Sequence, residues 1–315
     1  MDAPDARPDP SGVPPPDIDA EPEGFVVVLE PNDRIHFLDW GGPATAGERQ
    51  PHGVLLIHGL ANTAWSWIAV ARRLRRARPT VAMDIRGHGL SDAPTAGYDP
   101  ESLAEDVVAV AEGSGLLASP DDRIIVAGHG FGATVGAWAA ASLGARCAGI
   151  VLVDGGWVDL AASTGMEPGE FLRGLDEPSE ILRSMTAFLA DRRAFDPRTW
   201  DTDQERAARA TVVETHAGRV VPTTRPHAVE GSVEAMFAYR PDVVLPSIEA
   251  PIAALVAADD EEGSAAAALE TVGAALAAAR RPPIAVMRFP DDGHNLLRYR
   301  PEAVAGAILT LGSER

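Results

Sequence analysis

The sequence predicts an α/β fold, in which a mostly parallel sheet of eight strands is covered by helices on both faces and carries an inserted helical cap. Short apolar runs alternate with helical patterns along both ends of the chain, and this order favours a parallel sheet. Runs such as Gly53–Ile57 are apolar throughout, which is typical of strands with both faces covered. From about 157 to 245, helical patterns dominate and are broken repeatedly by proline.

Eight runs have the length and composition of strands, namely residues 25–29, 34–40, 53–57, 81–84, 124–127, 149–153, 252–257 and 284–289. The first two are predicted to form a hairpin around Pro31-Asn32-Asp33. Helices are predicted over residues 64–76, 101–112, 264–280 and 302–311, and directly after the strand that begins at 124. In the second helix Leu103, Val107 and Val110 recur at helical spacing, which indicates one buried face.

The composition divides the chain into three parts. Residues 1–24 are rich in Pro, Asp and Ala, so they are predicted to be a disordered tail. Residues 25–156 and 246–315 form the predicted α/β core, and residues 157–245 form the predicted cap. No internal repeat is present.

Composition and charge exclude several classes of function. The net charge of −19 repels nucleic-acid phosphates and anionic membranes, so neither is an expected partner. No signal peptide and no run long enough to cross a bilayer is visible, and a cytoplasmic protein is expected. The single cysteine, Cys147, excludes an internal disulfide framework and is predicted to be a buried core thiol. The oligomeric state is left open.

The sharpest motif lies at Gly128-His129-Gly130-Phe131-Gly132, between an apolar run and a helical run. A strand, a tight turn and a helix in this order are typical of a nucleophile elbow with the pattern Gly-x-Ser-x-Gly. Here the central position carries glycine, so the scaffold of a serine hydrolase is predicted without its attacking hydroxyl.

Other chemical groups also follow predicted strands. They are His58-Gly59-Leu60, the loop from Asp84 to Ser91, a carboxylate after a late strand, and Gly293-His294 after the last strand. Loops at the carboxyl ends of parallel strands meet at one edge of the sheet, so these pieces are expected to converge on the elbow.

With these motifs in this order, residues 25–311 resemble the α/β-hydrolase superfamily, in its capped, epoxide hydrolase- or esterase-like branch. The resemblance implies an α/β-hydrolase fold, an oxyanion hole formed by the backbone N–H groups of Leu60 and Phe131, and His294 as the base. It implies an acid in the segment ending at Asp259-Asp260, with Asp260 preferred and Asp259 in reserve. Asp154 is a third candidate, because some members place the acid after the strand that follows the elbow.

The site is also expected to be lined by His58, Gly59, His129 and Trp157. In this family, the Asp84–Ser91 loop is expected to be mainly structural. Replacement of the missing nucleophile by Ser66 or Ser91 is not expected, because each would have to reach the mouth of the site. A few Met and aromatic residues of the cap, Met236 among the candidates, are expected to line an apolar pocket.

Two functions remain open at this stage. The first is an enzyme in which a His/Asp pair and an oxyanion hole act on a small apolar ester, lactone or carbonyl compound, either by activating water or by proton transfer. It needs no metal or organic cofactor, because no clustered His/Cys ligands and no phosphate loop are visible. The second is an inactive protein of the same fold that binds a ligand or partner. Whether glycine at 130 is natural or an introduced replacement of serine is also open.

Overall fold

The computed structural model describes residues 20–29, 31–43, 52–175, 184–258 and 263–311. Most of the predicted N-terminal tail, residues 1–19, lies outside these ranges. The first strand begins at Glu23, two residues before the predicted start of the core at Phe25.

The strands of the described chain are β1 (Glu23–Leu29), β2 (Asp33–Asp39), β3 (Gly53–Ile57), β4 (Thr80–Met83), β5 (Ile124–His129), β6 (Cys147–Val153), β7 (Val212–Glu214), β8 (Val220–Pro222), β9 (Ile252–Val256) and β10 (Ala285–Arg288). Eight of them form one sheet in the order β1-β2-β4-β3-β5-β6-β9-β10. β2 pairs antiparallel with both β1 and β4. All other neighbours in this sheet pair in parallel, which confirms the predicted fold class.

The helices are α1 (Ile68–Leu74), α2 (Pro100–Gly113), α3 (Phe131–Leu143), α4 (Leu160–Thr164), α5 (Pro168–Leu175), α6 (Met185–Phe195), α7 (Thr202–Ala210), α8 (Pro226–Ala238), α9 (Pro241–Ser247), α10 (Ser264–Ala278), α11 (Leu296–Tyr299) and α12 (Pro301–Leu311). None of these helices, within the part of the chain that is described, is long and apolar enough to cross a membrane.

Two hydrophobic clusters hold the helices on opposite faces of the sheet. One face is covered by α2, α3 and α10, and the other by α1 and α12. Every residue of β3, β5, β6 and β9 is buried, because helices cover both sides of these central strands. The central strands therefore form a rigid base for the loops at their carboxyl ends.

Helices α4–α9 and the small antiparallel pair β7–β8 lie in the chain between β6 and β9. The pair β7–β8 was not predicted from the sequence. Tyr239, at the end of α8, is buried against Trp138 of α3 and donates a hydrogen bond to the carbonyl of Gly156. This contact fastens the inserted segment to the core close to the carboxyl end of β6.

Candidate active site

The turn between β5 and α3 has the geometry of a nucleophile elbow. Gly130 has φ +53° and ψ −119°, a backbone conformation that costs a residue with a side chain. A Cβ on Gly128 would lie 2.1 Å from the carbonyl oxygen of Gly132, and one on Gly132 would lie 2.3 Å from that of His58. The two flanking glycines are therefore required by the close approach of strand and helix, as the motif predicts.

His294 and Asp154 form a hydrogen-bonded pair beside the elbow. The Nδ1 atom of His294 lies 2.6 Å from Oδ2 of Asp154. A carboxylate only accepts hydrogen bonds, so Nδ1 carries the proton and Nε2 is left as an acceptor. Nε2 lies 3.2 Å from the position that a Cβ on Gly130 would take. The base and the elbow are thus arranged as in a triad that lacks its hydroxyl.

The carboxylate of Asp154 is held in place at the end of its strand. Asp154 directly follows β6, and its other carboxylate oxygen accepts a hydrogen bond of 2.8 Å from the backbone N–H of Ala257, after β9. Its φ is +45°, which is an unfavourable conformation for a residue with a Cβ. Strain held at such a position is a sign of function.

Of the three candidates for the acid, the structure places Asp154 against His294. Asp260 and the reserve candidate Asp259 lie outside the described residues, and the carboxylate that contacts His294 belongs to Asp154. The physical reason is the order of the sheet. β6 and β9 are neighbours, and Ala258, after β9, donates a hydrogen bond to the carbonyl of Asp292, so the histidine loop lies within reach of a residue at the end of β6. Asp154-Gly155-Gly156, placed directly after an apolar strand, was the available signal.

His129 hydrogen-bonds to the loop that carries His294. Its Nε2–H donates a hydrogen bond of 3.0 Å to the carbonyl of His294, and the two rings lie 4.5 Å apart. Its Nδ1 is buried and has no hydrogen-bond partner among the described residues. Burial and the nearby His294 lower the pKa of His129 to about 4. His129 was predicted to line the site, which it does, but its hydrogen bond goes to the histidine loop.

The predicted oxyanion donors lie on the same cavity as the base. Gly59 and Leu60, in the turn after β3, and Phe131, the first residue of α3, all line it. The first N–H groups of a helix have no acceptor within the helix, and the positive end of the helix dipole favours negative charge there. The backbone at Phe131 is therefore suited to stabilise a developing oxyanion.

The cavity has a volume of about 320 Å³. Its remaining lining comes from Asn62, Gly130, Thr134, Asp154, Gly155, Gly156, Val158, Leu160, Met236, His129, His294 and Asn295. The segment between β6 and β9 contributes the apolar side chains of Val158, Leu160 and Met236. The polar residues Asn62, Thr134 and Asn295 were not predicted. None of the described lining residues is an arginine.

Two of the predicted lining residues do not reach the cavity. His58 is fully buried, where it donates from Nδ1 to the carbonyl of Gly59 and accepts from the N–H of Ile85. Trp157 is 3% exposed and belongs to the hydrophobic core. The side chain of His58 packs behind the turn at Gly59, the other position that the sequence suggested for it, and the side chain of Trp157 lies in the core.

The Asp84–Ser91 loop also lies behind the site. Asp84 accepts hydrogen bonds from His36 and from the backbone N–H groups of Ala64 and Leu90. Burial opposes its ionisation, but these hydrogen bonds and nearby histidines keep its pKa below the ordinary value. The loop is structural, as expected. The hydroxyl of Ser91 bonds to the carbonyl of Asp84, and neither Ser91 nor Ser66 lines the cavity.

The chain is similar in sequence to known hydrolases. A sequence model of the alpha/beta hydrolase family matches residues 54–307. N-formylmaleamate deformylase of Pseudomonas putida is 34% identical over 122 residues, which are 38% of this chain and 41% of that protein. Epoxide hydrolase 3 of Xenopus tropicalis is 29% identical over 117 residues, which are 36% of this chain and 29% of that protein. The alignments thus span less than half the length of either relative.

Among solved structures, that of E-2-(acetamidomethylene)succinate hydrolase superposes with a TM-score of 0.72. The superposition covers 92% of this chain and 98% of the other, at 20% sequence identity. At this identity the likeness supports the fold alone.

Proposed function

We propose that this chain, which belongs to the alpha/beta hydrolase family, hydrolyses small, neutral, largely apolar esters or lactones by direct attack of water. The observation that carries the proposal is the pair of Asp154 and His294, whose free Nε2 faces the elbow at Gly130. In a complete triad this nitrogen would take the proton of a serine hydroxyl. Here it takes the proton of a water molecule.

The proposed reaction occurs in two proton transfers. His294 removes a proton from water, and the oxygen adds to the carbonyl carbon of the substrate. The carbonyl oxygen becomes an oxyanion that accepts hydrogen bonds from the N–H groups of Leu60 and Phe131. Asp154 stabilises the imidazolium, which then gives its proton to the departing alkoxide. The products are a carboxylic acid and an alcohol.

The magnitude of this catalysis limits the range of substrates. A positioned general base contributes about 10²–10⁴-fold, and one oxyanion donor contributes about 10²–10³-fold. No acyl-enzyme divides the reaction into two easier steps. We therefore expect measurable turnover on activated esters and strained lactones, and slow turnover on ordinary amides.

The charge around the cavity favours neutral substrates. The carboxylate of Asp154 lines it, no described lining residue is an arginine, and the whole chain has a net charge of −19. A carboxylate substrate would enter this site without a cation to pair with, at a high desolvation cost. The names of the deformylase and of the succinate hydrolase denote acids, so we expect this chain to differ from them in substrate charge.

The same pair of residues also suits proton abstraction from a carbon next to a carbonyl group. We favour attack by water, because the relatives in sequence named above are a deformylase and an epoxide hydrolase.

The proposal is tested by steady-state turnover of phenyl acetate and of a small neutral lactone. His294→Ala should reduce kcat by at least about 10²-fold. His216→Ala, in the exposed turn between β7 and β8, is the matched control and should leave kcat unchanged. Equal turnover in His294→Ala and the unaltered protein would refute the proposal. Absent turnover on every ester and lactone, together with thermal stabilisation by an apolar ligand, would identify a binding protein instead.

A further inference from the structure

The space beside Gly130 differs from that at the other glycines of the elbow. A Cβ built on Gly130 would lie 3.2 Å from Nε2 and 3.4 Å from Cε1 of His294, with the Cα of Gly59 at 3.9 Å. The imidazole would need to yield by only a few tenths of an ångström. At Gly128 and Gly132, by contrast, the Cβ would overlap backbone atoms. Packing therefore requires the two flanking glycines but does not require the central one.

This space opens into the cavity of about 320 Å³ that Gly130 itself helps to line. A water molecule occupies about 30 Å³ of liquid volume, so the cavity accepts a larger nucleophile together with a small acyl group. The smallest primary alcohol, methanol, has the same heavy atoms as the side chain of serine. Its hydroxyl can reach Nε2 of His294 while its carbon lies farther from Gly130 than a bonded Cβ would.

The lining gives the alkyl end of an alcohol favourable contacts. Leu60, Phe131, Val158, Leu160 and Met236 supply apolar surface to the cavity. For each carbon of an alcohol that moves from water onto such surface, the equilibrium constant for binding of the alcohol in the cavity increases by about fourfold. Water gains nothing from these contacts, so the lining favours a small alcohol over water as the attacking group.

We propose that this site transfers acyl groups directly from a neutral ester to a small primary alcohol, in competition with water. The inference rests on the proposed function, since it uses the same base and the same oxyanion donors. His294 takes the hydroxyl proton, the alcohol oxygen bonds to the acyl carbon, and the bond to the leaving alkoxide breaks. The proton then passes to that alkoxide. One ester and one alcohol enter, and a new ester and a new alcohol leave.

The experiment follows the products of phenyl acetate with the full chain in dilute aqueous methanol, where methyl acetate and acetate are measured by NMR. With methanol, the ratio of methyl acetate to acetate should be about four times the mole ratio of methanol to water. With ethanol in place of methanol, the ratio of ethyl acetate to acetate should be about four times higher again at the same mole ratio of alcohol to water. Both products should fall to the uncatalysed level in His294→Ala. Gly130→Ala, which fills part of the space, should lower the share of methyl acetate.

Three results would overturn the inference. Acetate formed above the blank, with methyl acetate no higher than in the blank, would refute alcohol transfer and leave hydrolysis intact. The loss of both products to the blank would refute the inference and the proposed function together. A protein-bound acetyl group in intact-mass spectra, with a product ratio that does not depend on the leaving group, would show transfer through an acyl-enzyme instead of direct transfer.

Discussion

Gly130→Ser should convert the site into a serine hydrolase. The new Cβ would lie 3.2 Å from Nε2 of His294, and the hydroxyl oxygen, one bond farther, falls within hydrogen-bond reach of that nitrogen. His294 is already paired with Asp154 at 2.6 Å. The substitution therefore adds the one group that the triad geometry lacks.

The expected gain in kcat and the expected loss of folding stability have separate origins. Removing the nucleophile from a complete triad costs up to about 10⁶-fold in kcat, so adding it here should raise kcat on activated esters by at least about 10³-fold. Serine must adopt the φ of +53° that Gly130 has, which should lower the free energy of unfolding by about 1–3 kcal/mol. Higher activity with lower stability is the expected combination.

The assay is a pre-steady-state burst with p-nitrophenyl acetate, followed by intact-mass measurement of an acetylated protein. Gly130→Ala is the matched control, because it introduces the same backbone strain and the same Cβ without the oxygen. The serine variant should show a burst of about one equivalent, and the alanine variant should show none. A folded serine variant with no burst and no acetyl group would refute the assigned positions of His294 and Asp154.

Three further predictions concern the surroundings of the site. Asp154→Asn should reduce kcat by about 10²–10⁴-fold, because an amide no longer fixes the imidazole tautomer, whereas Asp260→Asn should leave steady-state turnover unchanged. Lowering the pH from 7 to 5 should reduce the free energy of unfolding by roughly 2 kcal/mol for each of His88 and His129, as measured with urea. Burial lowers the pKa of these groups to about 3 and about 4, so their contribution is complete above about pH 6.5 and is lost as the pH falls. Gly155→Ala should lower the melting temperature, since its Cβ would lie 2.5 Å from the carbonyl oxygen of Gly130.

Each of these predictions has a contrary outcome. A large loss of turnover in Asp260→Asn with none in Asp154→Asn would reverse the assignment of the acid. His88→Gln should reduce the stability change between pH 7 and 5 by roughly 2 kcal/mol, and the exposed control His216→Gln should leave it unchanged. Equal changes in both variants would show that burial of His88 is not the cause. An unchanged melting temperature in Gly155→Ala would contradict the close packing at the elbow.

The sheet and the elbow were predictable from sequence because their signals are local. The strands at the centre of the sheet are continuous apolar runs, and the strand–turn–helix around Gly130 requires glycines at fixed spacing, which the backbone contacts of Gly128 and Gly132 explain. The position of His294 beside the elbow followed from the motif around it and from the strand before it.

The acid and the polar lining were harder to predict because they depend on which strands become neighbours. Asp154 directly follows an apolar strand, which is a local signal, but its contact with His294 depends on β9 lying between β6 and β10 and on the histidine loop crossing the end of β9. Asn62, Thr134 and Asn295 lie on three separate elements and meet only in the folded cavity. Trp157 is the opposite case. It lies close to the site residues in sequence, but its side chain packs in the hydrophobic core.

The most direct test of the central claim is the time course of p-nitrophenyl acetate hydrolysis by the unaltered protein in the first turnover. If Asp154 and His294 activate water for direct attack beside Gly130, p-nitrophenolate release is linear from the first turnover, no acetyl group appears on the protein, and His294→Ala abolishes the catalysed rate. A burst of one equivalent with an acetylated side chain would contradict the account, as would a rate that the loss of the imidazole leaves unchanged.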